Sequence, residues 1–228
     1  MSHTLGIRQA QKQKTRQALL DAALRLLEEQ SLSSLGLREV TRAVGVAPTA
    51  FYRHFRSTAD LGVALVEEAL GSLHPMIRTT VTSAESGDER ITRAVELIAR
   101  HVHAYPAHVR FIARERHGGV QPVREAIREQ LDRFAEEVRA ELAKDPESEG
   151  WSDDDLLMLS HLYVDQMLVT ASLFLEAQEQ EAEEGQEGQG GQEGQGGQGG
   201  LETVRERVTR LATRQMRLIS IGRRHWLG

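Results

Sequence analysis

Residues 38–55 read REVTRAVGVAPTAFYRHF, and that order of side chains narrows the fold more than any other stretch of the chain. Leu37, Val40 and Val44 fall at helical spacing on one face, with Arg38, Thr41 and Arg42 on the other, which predicts a short amphipathic helix. Gly45 then supplies the left-handed backbone that closes a helix, and Pro48 suits the first position of a new one. In the second helix Pro48, Phe51 and Phe55 share a face, while Thr49, Tyr52, Arg53 and Arg56 recur at i, i+3, i+4 and i+7 opposite them. One face is apolar enough to dock on a core. The other carries only hydrogen-bonding groups and cations. A helix-turn-helix reader of DNA needs this division, since its second helix enters a major groove ~12 Å wide while cations on the first meet phosphate. The bare pattern also serves packing alone in many small helical proteins, so the particular residues have to decide.

From residue 14 to residue 61 those residues resemble the TetR family of bacterial transcriptional repressors. The likeness rests on Thr15, Ala22-Ala23, LREV at 37–40, AVGVA at 43–47 and FYRHF at 51–55. It implies an all-α chain, with an N-terminal three-helix DNA-binding head over 1–56. A larger helical body for ligand binding and dimerisation would follow over 57–228. On that reading Thr49, Tyr52 and Arg53 meet the groove and backbone of a double-stranded palindromic operator, and Arg38, Arg42 and His54 sit on phosphate. The chain departs from the family in three places: Gly36 and Ala47 stand at helix caps usually held by hydroxyl residues, and Thr58 stands where many members have lysine. Ser57 is expected to cap the fourth helix by accepting from the backbone near Asp60.

Charge supports a polyanionic partner despite a net −6. Residues 1–56 carry nine Lys or Arg against four Asp or Glu, net +5, and the remainder carries 19 against 30, net −11. Cations gathered at one end release counterions from phosphate, and the acidic remainder orients the approach. The 39% hydrophobic content allows a proper core, and the absence of cysteine excludes disulfides and sulfur-ligated zinc. No apolar run is expected to reach the ~20 residues of a membrane span, and the polar opening MSHTLGIRQAQKQK is unlike a signal peptide, so a cytoplasmic location is expected. Arg8, Lys12 and Lys14 in that opening are spaced like the beginning of a helix or a flexible arm; such an arm can add phosphate contacts or reach a minor groove, and a solvated, frayed terminus is the bland alternative.

The body reads as helix after helix, over 91–104, 107–117, 120–144 and 152–179, punctuated by Pro75, Gly87, Pro106, Gly118-Gly119, Pro146 and Gly150. Residues 183–200, EEGQEGQGGQEGQGGQGG, lack apolar side chains and read as a flexible coil between the last two helices. The final helix, 202–224, places Val204, Val208, Leu211, Gln215, Leu218 and Ile219 at steps of four and three, a seam that buries itself against partner helices. In the resembled family the last two helices of each subunit form a four-helix dimer interface, so a homodimer is expected.

Competing chemistry is weak. His101 and His103 point to different sides of a helix, and His161 with Asp165 makes only two ligands, so no metal site is expected. There is neither a glycine-flanked serine elbow nor a GxxxxGK phosphate loop, and the chain is not read as an enzyme. Within the TetR family, LREVTRAVGVAPTAFYRHFRSTADLG at 37–62, RFIARERHG at 110–118 and RLISIGRRHW at 217–226 resemble the repressors of unsaturated fatty-acid synthesis that sense long-chain acyl-CoA. The likeness implies no resident cofactor but an acyl-CoA effector, with Arg114 and Arg116 as cations for the CoA phosphates. Helix-surface salt bridges are the bland alternative for both arginines. A TetR-type regulator with another hydrophobic effector, or a stand-alone acyl-CoA binding or processing protein, are the remaining alternatives.

Overall fold

A computed structural model describes residues 2–81, 86–187 and 202–226. The fold is all-α: ten α-helices and one short 3-10 turn, with no strand among the described residues. In chain order they are α1 (Ser2–Leu26), α2 (Leu37–Val44), α3 (Pro48–Phe51), α4 (Thr58–Gly71), α5 (Leu73–Val81), α6 (Gly87–Ala104), α7 (Pro106–Glu115), α8 (Gln121–Leu142), the turn Pro146–Ser148, α9 (Asp153–Glu187) and α10 (Val204–Arg224). Two compact units emerge. The first is Met1–Leu73 with Arg110–Gln130, and the second is His74–Val109 with Leu131–Gly228.

Local chemistry in the first unit follows the sequence closely. Gly45 has φ +74°, its N–H donates to the Arg42 carbonyl at 3.1 Å, and the Val46 N–H reaches back to the Thr41 carbonyl at 3.0 Å. These two bonds close α2 in the manner reserved for left-handed glycine. Gly36 has no side chain to cap α2, so only the returning half of a capping box is made: its N–H donates to the Glu39 carboxylate at 3.4 Å. Ser57 Oγ accepts from the Asp60 N–H at 3.1 Å, and the Asp60 carboxylate in turn accepts from the Arg56 N–H at 2.8 Å.

The boundary expected at 56/57 is not where this unit ends. Leu61, Leu65 and Val66 of α4 are fully buried within it. Gly62 explains how closely the pieces fit: a β-carbon there would lie 2.4 Å from Leu32 Cδ2 and 2.8 Å from Val123 Cγ2. Residue 123, far downstream in the chain, thus packs on the head because α4 presents no side chain at that point. Thr41 is a second difference. It is buried rather than on the polar side of α2, because position 41 lies one turn beyond Leu37 on the buried stripe.

In the second unit Ile91, Val95, Ala99 and Val102 line α6 at helical spacing and pack with Phe174 and Leu175 of α9 and Ala212 and Met216 of α10. The inner face of α10 is therefore Ala212, Met216, Ser220 and Arg223, not the seam of fours and threes that contains Leu211 and Leu218; those two are exposed. Arg223 is buried, donating to Ser148 Oγ at 2.6 Å and lying 3.5 Å from the Asp145 carboxylate, which also accepts from Arg90 at 2.9 Å. Burial pushes the Asp145 carboxyl up, but the Glu147 amide, Arg223 and Arg90 outweigh it and hold the group below its ordinary value.

α9 extends to Glu187, five residues into the stretch read as coil, since the Glu, Gln and Ala side chains preceding it are good helix formers. Positions 188–200 of that repeat lie outside the described residues. An 18-residue window within Asp153–Glu184 reaches mean hydropathy 1.3, so by length and composition alone this helix would pass for a membrane span, although Asp165 and Glu176 interrupt its apolar runs. Its buried Leu156, Leu159, Val164 and Phe174 and its packing against α6 and α10 mark it as the core helix of this unit.

Gly62→Ala is expected to destabilise the first unit by about 1–3 kcal/mol through overpacking against Leu32 and Val123, measured as a lower urea midpoint at unchanged slope.

Candidate nucleic-acid interface

Phe51 and Phe55 seat the α2–α3 pair. Both are buried, their rings 5.5 Å apart, and the Arg16 guanidinium of α1 lies 5.1 Å from the Phe55 ring centroid. With that face docked, Thr49, Tyr52 and Arg53 turn outward, and Tyr52 is 63% exposed although its ring meets Phe51 edge-on at 5.8 Å. Arg38 and Arg42 are exposed on α2. The structure thus brings Thr49, Tyr52, Arg53, Arg38 and Arg42 to the solvent side of one compact unit.

α3 is shorter than its sequence period implies. Regular helix spans only Pro48–Phe51, and the chain continues by tighter bonds from Arg53 N–H to Ala50 O at 3.2 Å and from His54 N–H to Phe51 O at 2.8 Å. Arg56 accordingly leaves the i+7 position of the polar face, its N–H being tied to Asp60. Ala47, the cap residue, offers no side-chain hydrogen bond.

His54 differs from a phosphate-binding cation. It is half-buried and its Nδ1 has no hydrogen-bond partner. Burial first, then the charges of Lys12, Arg16 and Arg53, push its pKa below the ordinary histidine value and favour the neutral imidazole. As a neutral ring it offers phosphate an N–H. Lys12, weighed above only as part of a basic arm, and Arg16, which the sequence reading left out, stand close enough to act on it. The signal for them was present: the first acidic residue of the chain is Asp21.

The two arginines singled out in RFIARERHG part company. Arg114 is not a spare phosphate ligand. Its Nη1 donates to the Leu27 and Gln30 carbonyls at 2.7 and 2.8 Å, and its Nη2 to the Glu28 carbonyl at 3.3 Å. A guanidinium here satisfies the carbonyls left unbonded where α1 ends and complements the negative end of that helix. Next to it Glu115 is buried, with Oε1 accepting from the Leu32 N–H at 2.9 Å. Adjacent residues of opposite charge therefore grip the α1–α2 connection, the cation on its carbonyls and the anion on an N–H. Arg116 is half-buried, and no hydrogen bond or ion pair engages its guanidinium among the described residues.

Among the described residues no group of three or more His, Asp or Glu side chains is arranged to hold a metal ion. Residues 19–65 match the sequence profile described as "Bacterial regulatory proteins, tetR family". Solved structures with the same fold include the transcriptional regulator FadR from Bacillus subtilis in complex with stearoyl-CoA, at 12% identity and TM-score 0.63, covering 88% of this chain and 96% of that one. The fatty acid degradation regulator FadR from Bacillus halodurans matches at 13% and 0.63, covering 88% and 93%. A gamma-butyrolactone receptor, an ArpA-like protein, matches at 18% and 0.55, covering 92% and 98%. At these identities the likeness establishes the fold.

Arg114→Ala is expected to lower stability by about 1 kcal/mol, below the usual range for charge-assisted bonds because the group is exposed, and to speed amide exchange at 27–32. Arg114→Lys, which cannot fork across three carbonyls, is expected to recover only part of that loss.

Proposed function

We propose that this chain, a TetR-type transcriptional regulator, acts as a homodimeric repressor. It holds a palindromic operator through α2 and α3 and answers to a long-chain acyl-CoA, controlling genes of fatty-acid and unsaturated-lipid synthesis. The observation that carries the DNA-binding half is the exposure of Thr49, Tyr52 and Arg53 on a segment whose opposite face is locked by Phe51 and Phe55. Thr49, Tyr52 and Arg53 meet base edges and the adjoining backbone. Arg38 and Arg42 neutralise phosphate, and His54 donates a hydrogen bond to it.

A palindrome asks for two such heads about 34 Å apart, hence a second copy. α9 and α10 offer it a surface: Leu162 and Val169 on one, Leu211 and Leu218 on the other, each pair seven residues apart and exposed, with Leu218 at 70%. Heptad-spaced apolar side chains of this kind suit knobs-into-holes packing. Between them Gln166 Nε2 donates to Gln215 Oε1 at 2.8 Å.

Support for the effector comes from the fold shared with the stearoyl-CoA-bound regulator and from the sequence likeness at 110–118 and 217–226. With Arg114 committed to α1, Arg116 is the arginine of that motif assigned to the CoA phosphates. The effector shifts a population between head spacings, and a tenfold effect at the operator needs ~1.4 kcal/mol of differential affinity between the two conformers.

A gel-shift titration on promoter DNA of lipid-synthesis genes neighbouring its own tests the whole reading. The protein is expected to shift that DNA, with affinity falling steeply as salt rises, and saturated and unsaturated acyl-CoA are expected to change the midpoint about tenfold or more. Arg53→Ala is expected to weaken the shift without lowering stability; a normal shift by that variant contradicts the face assignment. Acyl-CoA binding with no duplex affinity at low salt would instead identify a stand-alone acyl-CoA binding protein. Leu218→Arg, placing a charge in the apolar seam, is expected to give a monomer by sedimentation velocity and to weaken operator binding with it.

A further inference from the structure

The first twenty residues hold four Lys or Arg and no Asp or Glu. They are part of α1, which is helical from Ser2. Along it Arg8, Lys12 and Arg16 succeed one another at i, i+4 and i+8, so they drift only about 40° around the axis per step and span about 12 Å.

One end of this row is fixed beside the reading segment. The Arg16 guanidinium covers the ring of Phe55, the residue that backs α3, and Lys12 and Arg16 both act electrostatically on His54. From there the row leads away along α1. Arg8 and Lys12 are exposed, and no hydrogen bond or ion pair engages either among the described residues. Of the acids that follow, Asp21 on the helix meets Gln17 at 2.9 Å and Glu28, just past its end, lies 3.9 Å from Arg110. Unpaired cations beside a groove-reading element are suited to a duplex, which carries about one negative charge per 1.7 Å of axis.

We infer that Arg8 and Lys12 form a second phosphate-contacting row on the exposed side of α1, carrying the footprint past the base pairs that α3 reads and onto the flanking backbone. The inference rests on the DNA-binding reading of α2 and α3. Contacts of this type set affinity and register and carry no base information, so removing them acts alike on every sequence.

The test uses the full chain, by fluorescence anisotropy across a salt series, on a promoter duplex and on a scrambled duplex of equal length. R8A/K12A is compared with Lys14→Ala, since Lys14 lies about 200° around the helix from Lys12. The double variant is expected to reduce the slope of log K against log salt by about 0.9 for each phosphate it no longer neutralises, nearly 2 per protomer. Affinity for both duplexes falls by the same factor, Lys14→Ala keeps the wild-type slope, and trimming flanking base pairs weakens the wild type more than the double variant. R8Q/K12Q replaces the alanine version should that one melt below the wild type.

An unchanged slope in the double variant, alongside weakened binding by Arg53→Ala, overturns the second row and leaves the repressor reading standing. A loss of affinity confined to the promoter duplex overturns it too, because phosphate contacts are blind to sequence. No duplex affinity in the wild type at low salt removes both.

Discussion

Phe51 and Phe55, one turn apart, are the pair on which the head depends. Their burial against the α1 side of the fold fixes the rotation of α3 about its own axis, and that rotation decides which side chains face water. Thr49, Tyr52 and Arg53 are exposed as a consequence of where two aromatic rings went. A residue type suited to phosphate or a base edge carries no function unless its neighbours hold it outward, and here the holding is hydrophobic while the presentation is polar.

The head is also larger than a three-helix unit. α4 supplies Gly62, whose missing side chain lets Leu32 and Val123 both approach its backbone, and the segment 110–130 adds Arg114 and Glu115, which bond the α1–α2 connection. These are short contacts spanning large sequence separations. The reassignment of Arg114 from a ligand cation to a helix terminator follows from them, for the guanidinium meets three carbonyls at the end of α1. In the second unit Arg223 shows the same logic in the core. A buried guanidinium is tolerated because Ser148 and Asp145 are there to receive it, and the last turns of α10 are thereby tied to the turn after α8.

α10 separates two uses of apolar side chains that a linear pattern confounds. Its inward face is Ala212, Met216, Ser220 and Arg223, half of it polar, and its outward face carries Leu211 and Leu218. A reading by hydrophobicity alone favours the outward leucines as core. The small Ala212 and Ser220 are inside because α6 and α9 approach closely there, leaving the larger leucines for a surface that a second copy would cover.

What was legible in the residues was everything decided within a few positions. The helix-turn-helix, the left-handed Gly45 and the Ser57 cap on Asp60 all depend on bonds between groups at most five residues apart, and periodicity or residue type encodes such bonds directly. The half-buried place of His54 beside Lys12 and Arg16 and the partners of Arg114 and Arg223 were decided by tertiary structure. Each turns on which distant atoms come within about 3–5 Å, or on how much water is excluded. A linear pattern ranks candidates for such contacts, but only the packed fold brings one partner close and keeps the others away.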